Sequence, residues 1–98
     1  MKKVLCLIYT NFSLYEITAL TSTLALSFDI TIDYVASDHS IVVSEDGLPC
    51  QPTKTLDKIR IEEYSCVILP GMVNIGPALQ NEKLISFLRD LGERDILI

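Results

Sequence analysis

The sequence is short of positive charge. Eight Lys and Arg stand against thirteen Asp and Glu, a formal net charge of -5. A chain so balanced lacks the general electrostatic attraction to phosphate backbones and anionic lipid, which argues against nucleic acid and membrane surfaces as partners. Cysteine is scarce and badly spaced for cross-linking or metal. Cys6, Cys50 and Cys66 are odd in number, and no two stand at the short separations that zinc knuckles and redox pairs need. A disulfide framework and a metal cluster are therefore not expected. The only histidine, His39, lies in the polar turn Ser37-Asp38-His39-Ser40 and reads as a solvated turn residue, without a cysteine partner for catalysis. Long apolar runs are missing too: nothing approaches the ~20 residues that span a bilayer. The run Val4–Tyr9 behind Lys2-Lys3 is shorter than the ~7–15 residues of a signal-peptide core and carries no cleavage site, so a cytoplasmic protein is expected. Neither an internal repeat nor a low-complexity tract is present.

What is there is enough for one core. The 98 residues make about two-thirds of a typical ~150-residue domain, and 49% of them are apolar against 21% charged, the balance of a folded chain. Val4-Leu5-Cys6-Leu7-Ile8-Tyr9 is a continuous apolar run, too short for a buried helix, and reads as a strand covered on both faces. Leu14, Ile17, Leu20, Thr21 and Leu24 then recur at helical spacing behind Ser13-x-x-Glu16, a capping-box pattern, which predicts a helix over 14–26. Residues 29–37 alternate with period two and predict a strand nearer a sheet edge. Ile41-Val42-Val43 and the stretch 48–51 flank Glu45-Asp46-Gly47, a hairpin signal.

Thr53 to Glu63 carries weak helical spacing in Leu56 and Ile59. Cys66-Val67-Ile68-Leu69 is a second apolar run, expected as a central strand and stopped by Pro70-Gly71. Leu84, Ile85, Leu88 and Leu91 mark one face of a helix over 81–91, with Asn81 as N-cap and Gly92 beyond its last turn. Asp95-Ile96-Leu97-Ile98 opens a third apolar strand. The alternation implies an α/β fold: an open, mostly parallel sheet with helices on both faces, incomplete within these residues. We expect residues 1–98 to be the N-terminal portion of a longer domain, or one whose other half arrives as a separate chain.

In such a sheet, ligands bind outside the carboxyl ends of the strands. Two loops qualify: Thr10-Asn11-Phe12-Ser13, leading to Glu16, and Pro70-Gly71-Met72-Val73-Asn74. Glu16 has two readings. It closes the capping box by reaching back to the Ser13 N–H, or it is a partly desolvated rim carboxyl able to donate a hydrogen bond near neutral pH. Gly71 is simple turn chemistry or a point of close backbone approach to a ligand. Cys6 and Cys66 are expected as core residues, and Cys50, between Pro49 and Pro52, as the more exposed and oxidisable thiol.

The strand Lys3–Tyr9, the loop closing in Asn11-Phe12-Ser13-Leu14-Tyr15-Glu16, the Glu45-Asp46-Gly47 excursion, Val67-Ile68-Leu69-Pro70-Gly71 and the final Asp95–Ile98 resemble the N-terminal half of the DJ-1/PfpI (ThiJ) superfamily. The resemblance covers essentially the whole chain. It implies a flavodoxin-like sandwich related to class I glutamine amidotransferases, usually a homodimer. It also implies cysteine-dependent hydrolase or lyase chemistry on a small-molecule carbonyl, amide, nitrile or peptide substrate, with no metal or organic cofactor. By that resemblance Glu16 stands where a protonated glutamate hydrogen-bonds the reactive sulfur. Gly71 matches the first glycine of a Leu-Pro-Gly-Gly oxyanion element, and Met72 replaces the second. The nucleophile elbow would follow the strand that begins at Asp95, past Ile98, so neither Cys6, Cys50 nor Cys66 occupies it. The alternative is a non-catalytic redox-sensing or dimerising module of the same fold.

Overall fold

A computed structural model of the chain describes residues 3–71 and 80–93. The apolar run forms β1 (Lys3–Leu7) and continues buried through Ile8 and Tyr9. It pairs in parallel with β2 (Ile32–Ala36) on one side, Leu7 opposite Val35, and with β6 (Tyr64–Ile68) on the other, Cys6 opposite Ile68. Continuous hydrophobicity belongs to a strand flanked and covered in this way, because no face of it meets water. The described sheet is completed by β5 (Lys54–Thr55) outside β2, giving the order β5-β2-β1-β6, all parallel. This is the expected flavodoxin-like arrangement. β6, expected as a central strand, is the outermost described strand on its side.

Helix α1 (Leu14–Ser22) buries Ile17 and Thr21, with Leu14 half-buried beside them. It runs into a π-helical turn over Thr23–Ser27, so the predicted helix is helical throughout but α-helical only to Ser22. Asp29, with φ at 54°, closes the end in the left-handed conformation usual for glycine, and the Ile30 N–H donates to the Leu24 carbonyl. The excursion is a separate two-stranded hairpin, β3 (Val42–Val43) and β4 (Pro49–Cys50), turned by Gly47 at φ 88°. Helix α2 (Glu82–Gly92) buries Leu84 and Leu91, and Asn81 caps it by accepting from the Leu84 N–H at 3.2 Å. Gly92 is its last residue rather than the one beyond.

The weak helix over Thr53–Glu63 is not there. Lys54-Thr55 pairs with Val35-Ala36 as β5, and two single 3-10 turns, Leu56–Lys58 and Ile61–Glu63, carry the chain to β6. Two apolar residues at helical spacing bury too little to outweigh a sheet-edge pairing. Met72 and Asp95–Ile98 lie outside the described residues.

All four strands of the sheet meet at Asp33. Its Oδ2 accepts from Tyr64 Oη at 2.8 Å and from the ammonium groups of Lys3 at 3.1 Å and Lys54 at 3.2 Å. Burial pushes the Asp33 carboxyl up, but hydrogen bonds from Tyr64, Lys3 and Lys54 outweigh it and hold the group below the ordinary aspartate value. The unfolded chain, with an aspartate near ~3.9, therefore binds the proton more readily at acid pH. The stabilisation is full above that value and is lost as pH falls through the folded one. Urea titrations of the Asp33→Asn variant should show a shallower loss of stability between about pH 5 and 2 than the unsubstituted protein. Parallel curves would show that Asp33 is not the group responsible.

Candidate active site

β2 lies on one side of β1 and β6 on the other, so the chain reverses its direction of travel across the sheet between β1 and β6. Such a switch point is where an open α/β sheet offers a crevice. The first rim loop expected from the sequence and the described start of the second, Pro70-Gly71, meet at this point.

The β1–α1 loop is held from both sides. Asn11 takes φ 66°, its N–H donates to the Val43 carbonyl at 2.9 Å, and the Glu45 N–H donates to the Phe12 carbonyl at 2.9 Å, so the hairpin braces one flank. On the other flank the Ser13 N–H donates to the Gly71 carbonyl at 2.7 Å. Phe12, only 1% exposed, plugs the loop into the core.

Glu16 does not close a capping box. The Ser13 N–H it would have taken is bonded to Gly71, and Ser13 itself makes no side-chain capping bond. Glu16 lies one residue before the buried Ile17, about 100° around the helix from it. Its Oε1 accepts the Gly71 N–H at 2.9 Å, across 55 positions of sequence. A Cβ on residue 71 would stand 2.7 Å from that oxygen, closer than real contacts come, so the glycine is what permits the approach. The expectation of a partly desolvated carboxyl is corrected: among the described residues Glu16 is exposed, because Gly71 is the group that meets its carboxyl and α1 turns it away from the core.

One further side chain reaches the site. The Tyr9 hydroxyl, buried at the end of the β1 run, donates to the Pro70 carbonyl. Sequence reasoning counted Tyr9 only as the last apolar residue of a strand. The available signal was the phenol itself, since a buried Tyr O–H needs an acceptor and the strand's carboxyl end is where the loops converge.

The thiols stay out of the crevice. Burial pushes Cys6 up to about 12, which keeps it an unreactive core residue. Cys50, expected to be exposed, is half-buried, and burial together with Asp46 raises its thiol, so it is a poor candidate for oxidation. It lines a separate apolar cavity of about 240 Å³ with Ile17, Thr18 and Tyr34. Cys66 is half-buried in β6. His39 is exposed in the turn after β2. Among the described residues no group of three or more His, Cys, Asp or Glu could hold a metal ion, and no helix is long and apolar enough to cross a membrane.

The crevice thus brings together two of the three expected site residues, Glu16 and Gly71; the third, Met72, is outside the described residues. An exposed carboxyl held by a backbone amide can donate or accept a proton at the rim. A glycine N–H pointed at a carboxyl oxygen can also be offered to a substrate oxyanion.

Comparison with known proteins gives the family and the fold. The model of the DJ-1/PfpI family matches residues 2–98. The chain is 28% identical over 83 residues to an isonitrile hydratase of Pseudomonas putida, covering 85% of this chain and 36% of that protein. Its fold is similar to that of a DJ-1 superfamily protein of Agrobacterium tumefaciens, with TM-score 0.76, 20% identity, 94% of this chain and 50% of that one. It is likewise similar to a cysteine-to-alanine mutant of a DJ-1 superfamily protein of Salmonella typhimurium, with TM-score 0.71, 24% identity, 98% of this chain and 54% of that one. The chain therefore spans about a third of the curated relative and about half of each of these solved structures.

Proposed function

Since the chain belongs to the DJ-1/PfpI family, we propose that its switch-point crevice serves cysteine-dependent chemistry on a small carbonyl, amide, nitrile or peptide substrate. The observation that carries this reading is the Glu16–Gly71 hydrogen bond. A capping role would have turned Glu16 toward Ser13, and the structure turns it to the opposite loop. In the proposal, the attacking sulfur comes from a segment following Ile98 and Glu16 hydrogen-bonds it. The Gly71 N–H, bonded here to the Glu16 carboxyl, supplies an oxyanion donor, with Met72, which stands where the family carries glycine, as the next residue of that element. The similarity to an isonitrile hydratase favours an electrophilic carbon bonded to nitrogen as the group attacked.

Glu16→Gln keeps an oxygen for the Gly71 N–H but removes the ionisable acid. In the whole protein this substitution is expected to raise the apparent pKa of the reactive thiol and to slow its alkylation at neutral pH by about tenfold or more. The pH dependence of the rate with iodoacetamide reads it. An unchanged profile would refute the role.

A second reading rests on a different observation. Tyr15, Leu20, Leu26 and Phe28 on and after α1, with Ile41 and Leu48 by the hairpin, are large apolar side chains left exposed. They suit association with a second copy, as in a dimerising module without catalysis. The two readings part at the elbow: cysteine there keeps the first, and serine or glycine there favours the second.

A further inference from the structure

The hydroxyl of Tyr9 has no part in the function just proposed. Tyr9 is 5% exposed, so its O–H cannot rely on water and must find an acceptor within the protein. It finds the Pro70 carbonyl, 61 positions away. That carbonyl and the Gly71 N–H are the two ends of one planar peptide unit, pointing in opposite directions. The N–H end donates to Glu16 Oε1 at 2.9 Å. A side chain from the end of β1 and another from the start of α1 therefore grip the same plane from its two sides.

Such a plane needs gripping. Glycine tolerates a wide range of backbone angles, so the plane that precedes it flips more easily than one before a residue with a Cβ. A flip here would turn the Pro70 carbonyl toward the Glu16 carboxyl and carry the Gly71 N–H away.

We infer that Tyr9 is a positioning residue, whose hydroxyl holds the Pro70–Gly71 peptide so that the Gly71 N–H points at the crevice and at Glu16. The geometry stands on its own; its consequence for reactivity rests on the function proposed above. Burial above all, with smaller contributions from nearby Glu16 and Cys6, pushes the Tyr9 phenol up to about 12, so it remains a protonated donor at neutral pH. The plain alternative is that Tyr9 only packs its ring into the core.

Tyr9→Phe separates the two, because it keeps the ring and removes only the hydroxyl. In the whole protein, amide exchange at Gly71 should speed up about five- to tenfold, the worth of one lost hydrogen bond, while the Leu5 and Leu7 amides in β1 stay protected. The movement of the Gly71 amide resonance with Glu16 protonation should shrink. The thiol's pH profile should shift in the same direction as in Glu16→Gln. Unchanged exchange and titration at Gly71 would overturn the inference. If these change while the thiol profile does not, the positioning stands and the catalytic reading of Glu16 falls. Should Tyr9→Phe not fold, the unsubstituted protein still decides: a slowly exchanging Tyr9 hydroxyl proton supports the inference, and a rapidly exchanging one overturns it.

Discussion

Gly71→Ala is expected to cost as much activity as Glu16→Ala, about 10²-fold or more, with the double substitution no worse than either alone. The added Cβ would stand 2.7 Å from Glu16 Oε1, and that atom is the tip of a flexible side chain rather than backbone. The protein can therefore fold by letting the carboxyl swing away, and stability should fall by only about 1 kcal/mol, the worth of the lost hydrogen bond. The carboxyl then no longer occupies the place from which, in the function proposed above, it would meet the sulfur. Two residues that act through one contact are non-additive, so the double-mutant cycle should return a coupling energy close to either single loss. Turnover by the three variants, with urea midpoints to confirm folding, makes the measurement. Additive losses would mean that Gly71 and Glu16 contribute separately and that their hydrogen bond is incidental.

The largest loss of stability is expected at Phe12. Phe12→Ala should lower the unfolding free energy by about 3–5 kcal/mol, a substantial fraction of the ~5–15 kcal/mol by which a domain is ordinarily stable. Phe12 is 1% exposed and packs in the main core cluster, so truncation removes an aromatic ring and leaves a cavity in that cluster. The consequence reaches the crevice. Phe12 stands between Asn11, tied to the hairpin, and Ser13, tied to Gly71, and its ring anchors this loop in the apolar interior. Phe12→Leu, which nearly conserves volume, should restore all but about 1.5 kcal/mol. Denaturant unfolding of the two variants checks both figures. A cost below about 1 kcal/mol for alanine would show that the loop does not depend on this plug.

Some of the fold was legible because short-range chemistry settles it. A strand apolar at every position must be flanked and covered, and β1 is both. An Asp-Gly step between extended pieces turns a hairpin because glycine adopts φ 88° without strain. Asn81 before an amphipathic stripe caps α2 because its side chain reaches the Leu84 N–H within the first turn. The segment 53–63 was misread for the opposite reason. Its local preference is weak, and the pairing that captured Lys54-Thr55 comes from Val35-Ala36, a contact no local pattern reports.

The site divides along the same line. By itself the sequence determined that a carboxyl sits in the first turn of α1, that a glycine ends the β6 run, and that both belong at the carboxyl edge of a parallel sheet. Only the tertiary structure decided what the carboxyl holds. Locally Glu16 had a partner within reach, the Ser13 N–H, and a hydrogen bond to either amide is worth about the same. The choice fell to the distant one because β6 pairs with β1, which carries Gly71 alongside the β1–α1 loop, where its carbonyl takes the Ser13 N–H and its own N–H is offered to Glu16. Tyr9 belongs wholly to the second category: nothing near it in sequence asks for its hydroxyl, and the strand pairing alone brings the Pro70 carbonyl to meet it.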